Sequence, residues 1–161
     1  MPIKCFVSFR NNGKNLIPKS YDEVIAFQNK VINRMKESHP NYDYELVDSV
    51  TNEFEKDERL KYLGYSISKL QEADIILIPD DYDKSNGCQV EFFTALEYDI
   101  PVWTYFYNEN DDIKGVIPML LTNTQVKLKL NSLYGKFVNP DLKWEHLKWE
   151  QIGFWEDKNV K

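Results

Sequence analysis

A glutamate follows a serine- and glycine-containing loop at the point where a buried strand gives way to a helix. The apolar run 75–78 predicts the strand, and the segment that begins at Gly87 predicts the helix. Ser85 and Asn86 precede that helix, and Glu91 lies one turn into it. Ligands of open α/β sheets bind at the carboxyl ends of the strands. This order therefore predicts a carboxylate beside backbone N–H groups that can bind phosphate.

The same residues also have plainer interpretations. Ser85 or Asn86 can cap the helix with its own side chain, and Glu91 can be a solvated helix residue. The apolar residues on both sides of Glu91 favour a position at the edge of a cleft instead. Beside the positive end of a helix we expect the ionised form of Glu91 to be favoured, which suits a nucleophile.

Two further groups of polar residues follow predicted strands. Ser8 and Arg10 come after the first strand and so share the carboxyl edge of the sheet, where Arg10 can bind a phosphate in a bidentate manner. A plain turn with solvated charges explains them equally well. Asp81 and Asp83 come before Ser85 and can act as acid–base groups, although aspartates are also common turn formers.

Strands and helices alternate four times up to residue 107. A capping box, Ser20 with Glu23, opens the first helix. The predicted strands are 3–9, 44–48, 75–78 and 100–106, and the predicted helices run from Ser20 to near 39, from 57 to 72 and from 87 to 98. This alternation predicts a three-layer, mostly parallel, Rossmann-like (flavodoxin-like) α/β sheet over residues 1–107.

Residues 108–161 break this pattern and form a C-terminal extension. Residues 113–121 are apolar but include Pro118, and the tail carries Trp144, Trp149 and Trp155. So aromatic a segment is expected to pack on the core or at a subunit interface.

Composition excludes several classes of protein. The 161 residues have a net charge of −6, with 42% hydrophobic and 29% charged residues, which is typical of soluble globular domains. A nucleic-acid partner is disfavoured by this charge, and no apolar run is long enough to span a membrane. The two cysteines and two histidines lack metal-ligand spacing, so we predict neither a metal nor a cofactor, and the cytoplasm as compartment.

Three ordered segments resemble a known enzyme family. They are Leu63–Asp74, Ser85–Glu91 and Ala95–Val102, within a region of resemblance that covers residues 3–106. They look like the nucleoside 2-deoxyribosyltransferase superfamily, which includes the 2′-deoxynucleoside 5′-monophosphate N-glycosidases, and most of all like its bacterial and phage branch. The resemblance implies a homo-oligomer that acts on a small nucleoside or nucleotide.

The resemblance also assigns roles to residues. It implies that Glu91 attacks C1′ of deoxyribose to form a covalent intermediate, which water or a second base then resolves. Ser85 matches a serine that touches the 5′-phosphate in the hydrolases, so Ser85 with Arg10 favours a nucleotide over a nucleoside. With Asn86, Gly87 and Ser8, these residues make up the predicted binding site.

One position departs from the family pattern. The assisting aspartate of the relatives falls on Ser66, which cannot donate a proton with useful strength at neutral pH. Either Asp48, Asp81 or Asp83 replaces it, or the site binds a nucleotide without turnover. A third alternative is an interaction protein that acts through its Trp-rich tail.

A short segment of the tail has a second resemblance. Lys127–Gly135 is similar to the Lys-x-x-x-Asn-Ser-x-Tyr-Gly motif of family B DNA polymerases, particularly those of phages. The metal-binding segments of those enzymes are absent from the sequence. We interpret the match as a recombination relic or a coincidence, and as a hint of phage origin.

Overall fold

Five strands and three helices follow one another in residues 1–119, which are the residues that the computed structural model describes. In chain order they are β1 (Ile3–Val7), α1 (Tyr21–Ser38), β2 (Tyr44–Leu46), α2 (Arg59–Lys69), β3 (Ile75–Pro79), α3 (Asn86–Glu97), β4 (Val102–Tyr107) and β5 (Ile113–Pro118). Single 3₁₀ turns, Leu70–Glu72 and Tyr82–Lys84, precede β3 and α3.

The strands form one sheet in the order β2-β1-β3-β4-β5. The first four strands are parallel, and β5 runs antiparallel beside β4. The chain leaves β1 toward one edge of the sheet and returns to β3 on its other side, so the strand order reverses between β1 and β3. Ligands of doubly wound sheets bind at such a switch point, outside the carboxyl ends of the strands. The predicted fold class is confirmed.

Both faces of the sheet are covered, as the continuous burial of β3 requires. On one face, Phe27, Val31 and Met35 of α1 pack against Cys5, Val7, Ile75, Leu77, Tyr105 and Tyr107. Side chains alternate along a strand, so Phe6, Ile76 and Ile78 point to the opposite face, where α3 packs on β3 and β4. Every residue of β3 is therefore shielded from water.

Helix α1 begins as the sequence predicts. The Ser20 hydroxyl accepts the Glu23 N–H at 3.3 Å, and the Glu23 carboxylate accepts the Ser20 N–H at 3.2 Å. These reciprocal bonds satisfy two of the N–H groups that a helix start leaves without a partner. The helix ends at Ser38, beside the predicted boundary.

Helix α2 covers the sheet less completely than α1 and α3 do. None of its residues, Arg59–Lys69, is buried, and Leu60 in its first turn is 82% exposed. Tyr98, directly after α3, is also 76% exposed. The described chain therefore leaves apolar side chains of this layer in contact with solvent.

A fifth strand extends the sheet beyond the residues assigned to strands from the sequence. Residues 113–118 form β5 and pair with β4, so the first compact unit runs from Met1 to Met119. The sequence placed the division after Tyr107. Pro118 is compatible with β5 because it is the last residue of an edge strand, where no N–H is needed. The Trp-rich tail and the segment Lys127–Gly135 lie outside the described residues.

Candidate functional site

The carboxyl of Glu91 is buried at the carboxyl edge of the sheet. Ser85 caps α3 by accepting the Cys88 N–H at 3.3 Å, and Glu91 follows in the second turn of the helix. The glutamate is only 8% exposed. Acidic side chains are seldom so buried unless they are paired or hydrogen-bonded, because burial removes the charged form from water.

Two serine hydroxyls contact the two oxygens of this carboxyl. Ser8, directly after β1, donates to Oε1 at 2.6 Å, and Ser66 of α2 lies 2.8 Å from Oε2. Residues from α2 and from the end of β1 thus meet at the side chain of Glu91 in α3. It lies beside the switch point between β1 and β3, since the Ser8 N–H donates to the Leu77 carbonyl of β3 at 2.9 Å.

Burial raises the pKa of Glu91 to about 7, while the hydrogen bonds from Ser8 and Ser66 lower it. The expectation that the helix end would favour the ionised form is therefore wrong in direction. Desolvation of the buried carboxylate is the largest cause, and it outweighs the two hydrogen bonds from the serine hydroxyls. Glu91 therefore can change its charge close to neutral pH.

The other titratable groups beside Glu91 stay neutral at this pH. Burial, with the Glu91 charge as a smaller cause, raises the pKa of the Cys88 thiol to about 12. Burial also raises the pKa of Tyr105 well above its ordinary range. The Tyr105 hydroxyl donates to the Ser8 carbonyl at 2.7 Å and so helps to position Ser8.

Arg10 and Asp81 are paired with each other rather than free. Arg10 Nη1 lies 2.9 Å from Asp81 Oδ2, and the Tyr107 hydroxyl lies 3.0 Å from both Asp81 oxygens. Arg10 is 17% exposed and Asp81 is 7% exposed. Both oxygens of the Asp81 carboxyl therefore have partners within the protein. Burial and the neighbouring Asp81 raise the pKa of Tyr107, which remains a donor.

The loop between β1 and α1 is fastened to the ends of neighbouring strands. Lys14 Nζ lies 2.7 Å from Asp80 Oδ2 and 2.7 Å from the Tyr107 carbonyl. Lys19 forms a longer pair, 3.5 Å, with Asp111 in the turn between β4 and β5. These contacts order the loop that carries Ser8 and Arg10.

The remaining predicted residues lie at the surface of the same edge. Asp83, Asn86 and Asp48 are exposed, and the Asp83 carbonyl accepts a hydrogen bond from Gln89. At Gly87 a Cβ would make an ordinary van der Waals contact with Ser85 Oγ at 3.9 Å. Of the predicted set, Glu91 and Ser8 touch each other and Arg10 and Asp81 touch each other.

Sequence reasoning did not find three groups that contact the site residues. Ser66 was interpreted as a lost acid, whereas its hydroxyl contacts Glu91. Tyr105 and Tyr107 were assigned only to a strand or its end, and their hydroxyls bind Ser8 and Asp81. Two tyrosines at alternate positions near the carboxyl end of a predicted strand are the signal that could have identified them.

A separate cleft lies at the opposite edge of the sheet. Its volume is about 490 Å³, and it is lined by Ile67, Leu70, Ala73, Thr94, Tyr98 and Ile100, among others. These residues lie in the second half of α2 or α3 or precede β3 and β4, and none of them belongs to the predicted site. Within residues 1–119, no group of three or more His, Cys, Asp or Glu residues is arranged to bind a metal ion.

Comparisons of this chain with protein-family models, with curated proteins and with solved structures found no match. Fold and site together define a Rossmann-like α/β protein with a buried, hydroxyl-bound carboxyl at the switch point of its sheet. No helix in the described part of the chain is long and apolar enough to cross a bilayer. The resemblance to deoxyribosyltransferases stays a prediction.

Proposed function

We propose that this protein cleaves or exchanges the N-glycosidic bond of a 2′-deoxyribonucleoside 5′-monophosphate, with Glu91 as the nucleophile. One observation carries the proposal: the Glu91 carboxyl is buried at the switch point and bound by hydroxyls from two other elements. Strongly perturbed, buried titratable groups concentrate at functional sites. If the residue were purely structural, a glutamine could make the same contacts without the free-energy cost of burying a charge.

The chemistry follows two displacements. Ionised Glu91 attacks C1′, the bond from C1′ to the base nitrogen breaks, and the base leaves as it takes up a proton from solvent. Water or a second base then attacks C1′, the bond from C1′ to the carboxylate breaks, and the attacking group loses its proton to solvent. Ser85 and Asn86, at the start of α3, are the groups we propose for the 5′-phosphate.

The first test measures release of free base. The full chain is incubated with each of the four deoxynucleoside monophosphates, and the base is quantified by chromatography. We expect release from at least one nucleotide, loss of at least about 10³-fold in Glu91→Gln, and no change in Glu97→Gln, whose exposed side chain lies on the same helix. Equal rates for wild type and Glu91→Gln would refute the nucleophile.

Binding without turnover is the second candidate, and the state of Asp81 favours it. Asp81 contacts Arg10 and Tyr107, and Ser66, at the position of the family acid, contacts Glu91, so both side chains are engaged within the protein. Calorimetry against the same nucleotides distinguishes the candidates. Binding with no base released, and with affinity little changed in Glu91→Gln, supports a sequestering protein.

We also propose that the protein is a homo-oligomer in the cytoplasm. The absence of buried residues in α2, with Leu60 and Tyr98 exposed, leaves a layer that a second copy can cover. Both cysteines are free and buried, as in a reducing compartment. Light scattering should give at least a dimer for the wild type and a smaller species for Leu60→Lys. Tyr42→Lys, at an exposed tyrosine outside the helices, is the matched control.

A further inference from the structure

The hydroxyl of Ser66 lies between two acceptors. Its oxygen is 2.8 Å from Glu91 Oε2 and 3.0 Å from the Leu63 carbonyl one turn earlier in α2. A serine hydroxyl has a single proton, so it can donate to only one of these acceptors at a time. A serine within a helix commonly bonds to a carbonyl of the preceding turn, which makes Leu63 a ready alternative.

This arrangement suits both charge states of the carboxyl. When Glu91 is ionised, Ser66 donates to Oε2. When Glu91 carries a proton on Oε2, that proton points to Ser66 Oγ, and the serine proton turns to the Leu63 carbonyl. Each polar atom of the group thus keeps a partner in both states, which avoids the cost of a buried unsatisfied donor.

Ser8 contacts the other carboxyl oxygen in a different setting. It lies 2.6 Å from Oε1, with the thiol of Cys88 beside it, and a thiol sulfur is a weak acceptor. If Ser8 accepted a proton from Glu91, its own proton would lack a comparable acceptor. Ser8 therefore donates to Oε1 in both charge states, and it donates more strongly to the charged carboxylate than to the neutral carboxyl.

Two other titratable groups near the site keep their charge state over the same pH range. Cys88 on α3 and Tyr105 on β4 stay neutral, because burial raises the pKa of both groups. The proton that moves near neutral pH is that of Glu91.

We propose that Ser66 is a positioning residue that turns its hydroxyl between Glu91 and the Leu63 carbonyl, so that Glu91 can gain and lose a proton without leaving its place. The inference rests on the proposed function for its catalytic meaning, because a nucleophile that is released as a leaving group must tolerate changes of charge at each step. Ser66 thus has a role of its own at the position where the sequence suggested only the loss of an acid.

The test follows the Glu91 carboxyl directly and needs no substrate. Carbon-13 NMR of glutamate-labelled full-length protein gives the titration curve of each carboxyl, and the Glu91→Gln spectrum identifies the Glu91 signal. Ser8→Ala should raise the pKa of Glu91 by about 1, since it removes a donor that binds the charged carboxylate more strongly than the neutral carboxyl. Ser66→Ala should move the pKa by less than half of that shift, because it removes a partner of both forms.

Ser66→Thr retains a hydroxyl that can bond the preceding turn and should titrate like the wild type. Urea unfolding is a second measurement that can be used if a variant folds too poorly for the NMR titration. Ser66→Ala should lower the midpoint by similar amounts below and above neutral pH, and Ser8→Ala should lower it more above. A Ser66→Ala pKa shift as large as that of Ser8→Ala, or no shift in Ser8→Ala, would overturn the proposal. Because no turnover is involved, these outcomes are independent of whether base is released.

Discussion

Ser8 and Glu91 are 83 residues apart in the chain, and the Ser8 hydroxyl donates to Glu91 Oε1 over 2.6 Å. The contact ties the end of β1 to α3, the helix that follows β3. Because β1 and β3 are neighbours in the sheet, their carboxyl ends and the helix after β3 meet at one edge. The position of the carboxyl is therefore a consequence of strand order.

Glu91 should make the stability of the folded protein depend on pH. Its pKa is raised by burial from an ordinary value of 4.5 to about 7 in the folded state, so the folded state binds more protons between these values. Protonated Glu91 therefore stabilises the folded state fully below about pH 4.5, and this stabilisation is lost as the pH rises through about 7. Between about pH 4.5 and about pH 8 this loss amounts to roughly 3 kcal/mol.

Urea unfolding of wild type and Glu91→Gln at these two pH values measures the effect. The difference in unfolding free energy, variant minus wild type, should increase by roughly 3 kcal/mol toward high pH, since glutamine does not titrate. Other carboxyls titrate equally in both proteins and cancel. A difference that is constant with pH would mean that Glu91 is solvated.

The pair of Arg10 with Asp81 should be coupled in a double-mutant cycle. Arg10→Met leaves a buried carboxylate with Tyr107 as its remaining partner and should cost about 2–3 kcal/mol, whereas Asp81→Asn should cost about 1–2 kcal/mol. The double variant should be more stable than the sum predicts by about 1–2 kcal/mol. Chemical denaturation gives all three values.

The matched control is the exposed pair of Lys61, in α2, with Glu58, the residue before that helix. The two charged groups are 2.9 Å apart. Its coupling should be below about 0.5 kcal/mol, because water screens both groups. Equal coupling in the two pairs would contradict the burial argument.

Gln28 of α1 should stabilise the strand end that precedes Ser8. Its buried amide donates to the Val7 carbonyl at 3.0 Å and contacts the Ser49 hydroxyl at 3.3 Å. Gln28→Met retains the shape and removes both bonds, so the free energy of unfolding should fall by about 1–2 kcal/mol. Gln71→Met, at an exposed glutamine, should change it by less than about 0.5 kcal/mol. Thermal or urea unfolding at one pH suffices, and equal effects of the two changes would argue against the role of Gln28.

Two glycines should respond in opposite directions to alanine. At Gly13 the backbone has φ of +58°, and a Cβ would approach Lys19 Nζ to 2.7 Å. Gly13→Ala should therefore destabilise by about 1–2 kcal/mol. At Gly64 in α2 nothing lies within 4 Å of the added atom, so Gly64→Ala should stabilise by about 0.5–1 kcal/mol through helix propensity. Melting temperatures that move in the same direction would contradict this pair of predictions.

Local signals in the sequence were sufficient for the four strands and three helices up to Tyr107, whereas β5 was not predicted. The capping box of Ser20 and Glu23 marked the start of α1, and the apolar run before Pro79 marked the strand that is buried on both faces. The loop that leads into Glu91 followed from its position between that strand and α3. Each of these features depends on neighbours within a few residues, so the sequence alone is sufficient to predict it.

The partners of the carboxyl depended on the tertiary structure alone. Ser66 contacts Glu91 because α2 and α3 pack on the same face of the sheet, and Tyr107 reaches Asp81 because β3 and β4 are adjacent. The pKa of Glu91 is raised by burial, which outweighs the hydrogen bonds from Ser8 and Ser66. Desolvation depends on everything that packs around a group, so the sequence identified the acid and the fold determined its protonation.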